Sequence, residues 1–251
     1  MTEKPDLNRI LAKLDEHLGK NDYSSAERHL IFWMNEAKAC DDKRCMFSLA
    51  NEQMGLYRKL GREKEALEAL ELANSLIDAS GLGGTISAGT CFVNSATVYK
   101  AFGMAEKAIP LFERAKEIYE KNLPDNDGRL GGLYNNTALA LSDLKRYDEA
   151  MINYEKAIGV MKKVTYGELE QAITYLNIAD ILESRDGRDA AKERIDKALD
   201  TALDLLSTEG IPHNGYYAFV CEKCAPSFGY YGRYDAAKAL REIAEEIYEG
   251  T

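Results

Sequence analysis

Cys221-Glu-Lys-Cys224 is the stretch of this sequence best equipped for bond chemistry. Thiolates at i and i+3 share one face of a helix and could take part in a zinc site, with His213 as a third ligand. A tetrahedral structural site takes four donors, and no second Cys or His pair stands near. Core packing is therefore the favoured reading of these thiols, and no metal site is expected. The histidines are His17, His29 and His213. A Ser-His-Asp or Cys-His constellation needs nucleophile, base and pocket together, and no segment supplies them. Gly81-Leu-Gly-Gly84 has a superficial likeness to a phosphate loop. It lacks the last glycine of that fingerprint and any preceding strand, so it reads as a connector. No catalytic residue and no cofactor are expected, and the chain does not read as an enzyme.

Binding chemistry is better represented. Asn94, Asn136 and Asn177 recur at intervals of 42 and 41 residues, with Asn51 and Asn135 beside the series. An Asn amide carries two donors and an acceptor with two lone pairs, so it can grip both the N–H and the C=O of an extended peptide. Two readings stand open. Either the ladder contacts a ligand, or the amides bond to neighbouring helices or lie wet on the surface. Arg58, Lys59, Thr97, Lys100, Leu139, Ser142, Asp180 and Glu183 fall at adjoining positions. The cations come earlier in the chain, whereas Asp143, Asp180 and Glu183 come later. That split could orient a peptide with one acidic and one basic end, or it is ordinary surface charge.

The elements that must position these residues come from an internal repeat. Gly103-Met-Ala-Glu-Lys-Ala108-Ile-Pro-Leu-Phe112-Glu-Arg-Ala115 aligns with Lys145-Arg-Tyr-Asp-Glu-Ala150-Met-Ile-Asn-Tyr154-Glu-Lys-Ala157. Anchored on Ala26, Ala66, Ala108, Ala150, Ala191 and Ala237, six copies follow at spacings of 40, 42, 42, 41 and 46 residues. Twelve residues before the anchors stand Leu14, Met54, Ala96, Ala138, Ala179 and Ala225. Nine before them stand His17, Tyr57, Tyr99, Leu141, Leu182 and Phe228. Apolar residues at i, i+4 and i+7 make one stripe of an α-helix. Each copy holds two such stripes, split by a turn signal at Gly61, Gly103, Lys145-Arg146, Gly187 or Gly232. Each copy is thus a helical hairpin, and a hairpin that cannot cover its own apolar faces must stack on neighbours into a solenoid. One domain over 1–251 is expected, with repeats at about 7–40, 44–80, 87–123, 129–165, 168–208 and 215–249.

This pattern of small residue, aromatic, Gly-x-Tyr-x-x-Ala, large residue and Ala resembles the tetratricopeptide repeat, over about residues 7 to 249. Its period is near 42, as in kinesin light chain repeats, rather than the usual 34. The whole is similar to bacterial tetratricopeptide-repeat proteins of unassigned role. The resemblance implies an all-α, right-handed α-solenoid of stacked antiparallel hairpins whose first helices line a concave groove. It also implies ligand contact at Asn51, Arg58, Asn94, Thr97, Lys100, Asn135, Asn136, Asn177 and Asp180. Chaperone-binding members clamp a terminal carboxylate with paired Lys and Asn. Here the position fifteen before each anchor reads Leu11, Asn51, Val93, Asn135, Leu176 and Glu222, so that clamp is not expected.

Two copies, the first and the sixth, depart from the pattern. Trp33 stands where other repeats have Ala and must splay the first hairpin or shift its neighbour. Pro226 falls inside a first helix, where proline costs about 3 kcal/mol and kinks the rod. Arg241 occupies an apolar site, and with Glu242, Glu245, Glu246 and Glu249 it gives the last helix a charged, water-facing side. The tyrosines are read as packing residues at Tyr57, Tyr99, Tyr147, Tyr154 and Tyr234.

Composition narrows the partners. The 251 residues are 45% hydrophobic and 29% charged, enough for a core and too apolar for a disordered chain. Thirty-two Lys+Arg against 42 Asp+Glu leave a formal charge of -10, which repels nucleic acid and anionic membranes. Five scattered cysteines and no long apolar run suggest a reducing, cytoplasmic setting. A protein or peptide ligand is expected, with self-association open at either terminal repeat. The leading role is a scaffold or adaptor. The alternative is a peptide-sensing regulator acting in trans, since about 20 residues before the first turn are too few for a DNA-binding output module.

Overall fold

A computed structural model describes residues 6–250. Among these residues are twelve α-helices and no strand. They form six hairpins, the number of copies in the sequence. The first pairs α1 (Leu7–Gly19) with α2 (Tyr23–Ala39), the second α3 (Lys43–Lys59) with α4 (Glu63–Ala79), and the third α5 (Ile86–Ala101) with α6 (Ala105–Asn122). The fourth pairs α7 (Gly128–Asp143) with α8 (Tyr147–Met161), the fifth α9 (Glu168–Asp186) with α10 (Lys192–Leu206), and the sixth α11 (Gly215–Tyr230) with α12 (Tyr234–Glu249). The chain divides into two compact units, one ending at Leu123 and the other starting at Pro124, each with three hairpins. In the first unit α3 packs on α2, and α5 on both α3 and α4; in the second α9 packs on α7 and α8, and α11 on α9.

Local chemistry explains the boundaries. Six helices start on a side-chain cap: Asp6, Asp22, Asp42, Thr85, Asp127 and Asn214 each accept a backbone N–H from the first turn. Within every hairpin one residue reverses the chain at a left-handed φ: Asn21 (53°), Gly61 (68°), Gly103 (74°), Lys145 (58°), Gly187 (82°) and Gly232 (83°). Glycine occupies that region without strain and Asn tolerates it, which is why the turn signals were legible.

The anchors form the spine of the core. None of Ala26, Ala66, Ala108, Ala150, Ala191 and Ala237 is more than 2% exposed. The residues twelve before them are equally covered. A methyl group is all that fits where paired helices cross closely, and the larger residues fill the space alongside.

The departures resolve individually. Trp33 is half-buried at the hairpin's edge, 5.1 Å from the ring of Phe32 and 6.3 Å from that of His29. The buried stripe of α2 runs instead through Ala26, Leu30, Met34 and Ala37, and the first hairpin is the most loosely packed of the six. α11 continues through Pro226, which is exposed, and α6 likewise continues through Pro110, a residue the sequence pattern did not single out. Arg241, Glu242, Glu245, Glu246 and Glu249 all face water, and Leu240 takes the buried place beside Arg241. One expectation needs correction. Tyr57 and Tyr154 are core residues and Tyr99 and Tyr147 are half-buried, but Tyr234 is 72% exposed. α12 packs through Ala237, Leu240 and Ala244, which leaves its first turn uncovered.

Candidate functional site

Asn51 and Arg58 lie on α3, and Asn94, Thr97 and Lys100 on α5, all in the first unit. Asn51 and Asn94 are 43 residues apart, close to one period, so neighbouring first helices bring them side by side. Asn94 Nδ2 donates to Asn51 Oδ1 at 3.4 Å, and Asn51 Nδ2 donates to the carbonyl of Phe47 at 3.1 Å. The Thr97 hydroxyl is spent on its own helix, donating to the Val93 carbonyl at 2.8 Å. Arg58 is exposed and Lys100 half-buried. Lys59 beside Arg58 sits 4.8 Å above the ring of Tyr23.

The second unit repeats the motif. Asn135 and Asn136 lie on α7, and Asn177 and Asp180 on α9. Asn177 Nδ2 donates to Asn135 Oδ1 at 3.1 Å. Asn136 is half-buried, and among the described residues its side chain has no hydrogen-bond partner. The asparagines therefore fall into two short pairs, one in each unit, plus Asn136. Part of what they offer is consumed internally: Asn51, Asn94 and Asn177 each spend one N–H, and the carbonyl oxygens of Asn51 and Asn135 accept, Asn135 also from the Thr174 hydroxyl at 3.3 Å. The carbonyl oxygens of Asn94 and Asn177 and the whole amide of Asn136 stay uncommitted.

Asp180 accepts a hydrogen bond from Tyr231 Oη at 2.9 Å. As a residue it is exposed, yet protein crowds its carboxylate and raises its pKa, while the Tyr231 bond pulls the other way. The same pattern recurs along α9 and α11. Glu183 accepts from Tyr230 Oη at 3.1 Å, Glu170 from Tyr216 Oη, and Glu222 from Tyr248 Oη at 3.3 Å. Burial and the acceptor carboxylates together push the Tyr216 and Tyr231 phenols far up, so both remain neutral donors. These phenol–carboxylate pairs span 26 to 51 residues, and no local sequence pattern announces them.

Cys221 and Cys224 are buried in the small-residue face of α11. Burial raises both thiols, Cys224 to about 12, which disfavours the thiolate a metal or a reaction would need. His213 stacks on Tyr217 with ring centroids 4.3 Å apart. No helix among the described residues is long and apolar enough to cross a membrane.

Residues 132–160, most of the α7–α8 hairpin, match the family described as tetratricopeptide repeat. No curated protein matches the chain in sequence. Among solved structures, the chain is similar to BtubC (BKLC) from P. vanneervenii, at 20% identity over 82% of this chain and 83% of that one, with a TM-score of 0.68. It is also similar to a putative kinesin light chain with TPR-like repeats from Podosopora anserina, at 16% identity over 79% and 92%, TM-score 0.56. The apo form of the quorum sensor NprR from B. thuringiensis aligns at 16% identity over 96% of this chain and 64% of that one, TM-score 0.60. At these identities the likeness is one of fold.

Proposed function

We propose that this chain, whose α7–α8 hairpin matches the tetratricopeptide repeat and whose fold is shared with solved repeat proteins, is a scaffold or adaptor whose first helices hold a protein or peptide ligand, without catalysing a reaction. One observation carries the reading. At the same register of successive first helices stand half-buried amides, Asn94, Asn136 and Asn177, with hydrogen-bonding capacity still open. A half-buried polar group that neither water fully solvates nor protein satisfies gains most from a ligand that completes its bonds. In this reading Asn51, Arg58, Thr97 and Lys100 flank Asn94 on a ligand face of the first unit, and Asn135 and Asp180 flank Asn136 and Asn177 on one of the second. The cytoplasm, where buried thiols stay reduced, is the proposed location.

The test is a quantitative pull-down from native lysate with wild type and with the Asn94→Ala/Asn136→Ala/Asn177→Ala variant, far-UV circular dichroism confirming that both are folded. Partners lost or reduced at least tenfold with the variant support the ligand face. Identical partners with both proteins defeat it.

A second reading, a peptide-sensing regulator acting on a partner in trans, draws on the fold shared with the quorum sensor NprR. It requires that ligand binding change how the chain meets a second protein. A partner retained only when a peptide is supplied would favour it over a passive scaffold.

A further inference from the structure

Most first helices present small or polar residues on the side away from their hairpin partners, but α11 does not. Tyr216, Phe219 and Tyr230 are 47, 48 and 60% exposed, and with Lys223 and Pro226, both exposed, they fall at i, i+3, i+7, i+10 and i+14. That spacing is a single stripe of a helix. Tyr216 and Phe219 stack on each other at 6.2 Å. Large exposed aromatics gathered on one helix face mark an interaction surface more than scattered ones do.

The charge beside the stripe says what it would meet. Tyr216 donates to Glu170, Tyr230 to Glu183, and the adjoining Tyr231 to Asp180. Each bond uses one carboxylate oxygen and leaves the other. Among the described residues none of these three carboxylates has a salt bridge, although Asp127, Asp148, Asp186, Asp196 and Asp200 of the same unit are all paired with Lys or Arg. Lys223, within the stripe, and Arg188 beside it are turned to rings instead: Lys223 lies 5.9 Å over Phe219, and Arg188 lies 5.0 Å over Tyr230 while donating to its carbonyl. Pro226 also lacks the N–H that would bond the Glu222 carbonyl four residues back. The face thus combines negative charge, open acceptors and aromatic rings, the chemistry that takes a guanidinium or ammonium group.

We infer that the α9–α11 face of the second unit docks a basic, extended peptide segment, its Lys or Arg side chains meeting Glu170 at one end and Asp180 and Glu183 at the other and its remaining side chains covering Tyr216, Phe219 and Tyr230. From Glu170 to Glu183 is about 20 Å along α9 at roughly 1.5 Å per residue, a distance that about six extended residues span. The basic residues of the ligand are therefore five to seven positions apart. This inference rests on the ligand-holding reading above and gives its partner a chemistry.

The experiment selects a display library of random nine-residue peptides on the immobilised full chain. The fluorescein-labelled winner is then titrated against wild type and Glu170→Gln/Glu183→Gln, which keeps both acceptors for the tyrosines and removes only charge. The expected result is enrichment of peptides with two Lys or Arg at that separation, at least tenfold weaker binding to the double variant, and a shallower salt dependence. Phe219→Ser, an exposed substitution that leaves the carboxylates intact, should weaken the same peptide separately. Enriched peptides that are neutral or acidic, or basic ones bound equally by the double variant, overturn this inference and leave the scaffold reading standing. A selection on wild type that enriches nothing overturns both.

Discussion

Replacing Tyr154 with Phe deletes one oxygen atom from the middle of the second unit. Tyr154 stands four residues after the anchor Ala150 and is 0% exposed, a side chain with no contact to solvent. Its hydroxyl is buried and has no hydrogen-bond partner in the protein. Burial drives the phenol's pKa up, and the negative charges of Asp180 and Asp143 add to the effect, so the group is neutral at any relevant pH. A buried hydroxyl with no partner costs about 1–3 kcal/mol relative to its hydrated state. The equivalent position of the third hairpin is already Phe112, equally buried, so a phenyl ring suits the site. Tyr154→Phe should therefore stabilise the chain by about 1–2 kcal/mol. For a chain of this size that is a rise in melting temperature of roughly 2–8 °C, read by far-UV circular dichroism, with the urea m-value unchanged. Tyr154→Ala, by contrast, should lose about 3–5 kcal/mol through the cavity it opens. If Tyr154→Phe lowers the melting temperature, the hydroxyl is satisfied, for instance by solvent bridging it to Asp180 or Asp143, and the premise of an orphaned group fails.

Three further outcomes are expected. In Gly89→Ala the new Cβ would lie 2.7 Å from Cε1 of Tyr119, whose ring is held by a 2.8 Å hydrogen bond to Thr90; overpacking should outweigh the helix-propensity gain and cost about 1–2 kcal/mol. In Gly131→Ala, at the equivalent position, the clash is with the flexible Met161 side chain, so its melting temperature should stay closer to wild type; the reverse ranking would refute the packing argument. Of the five thiols, Cys45, Cys91, Cys221 and Cys224 are buried, and burial pushes Cys45 and Cys91 to about 11; Ellman's reagent at neutral pH should find one fast thiol, Cys40, and five after denaturation, whereas two or more fast thiols would contradict this placement. Glu52 has its pKa raised by burial first and by Asp15 second, so its ionised form opposes folding above the folded-state value and the penalty disappears as pH falls below the ordinary carboxylate range. Glu52→Gln should accordingly raise the melting temperature at pH 7 and not at pH 3.5, and equal effects at both would rule the linkage out.

The hairpins were legible because the forces that make them are local and periodic. Ala26 through Ala237 could be found by spacing alone, since a helix crossing tolerates only small residues and the crossing recurs once per repeat. Turn residues were legible for the same reason: a left-handed φ selects Gly61, Gly103, Gly187 and Gly232 directly. Lys145 was found only by alignment with its equivalents. Tyr234 misled because its register matches Tyr147, whereas its environment depends on what packs against the helix and not on the helix itself.

What the period could not specify is how each polar group divides its bonds between protein and ligand. Spacing near 42 residues places Asn51 beside Asn94 and Asn135 beside Asn177, but whether an amide then turns to its neighbour or outward is decided over a few ångströms by side-chain torsions. The structure has both amides of each pair engaged, so ligand chemistry in each unit is thinner than five free asparagines would suggest. The carboxylates of α9 carry the complementary lesson. In the sequence Glu170 carries no signal, and Asp180 and Glu183 read equally well as the acidic end of a ligand face and as ordinary surface charge. Only the phenols of Tyr216, Tyr230 and Tyr231, supplied by a helix some 50 residues further on, fix their orientation without neutralising them. A charge that is held in place and still unpaired is what separates a recognition surface from a solvated one, because the side-chain entropy that a flexible carboxylate would lose on binding has already been lost on folding.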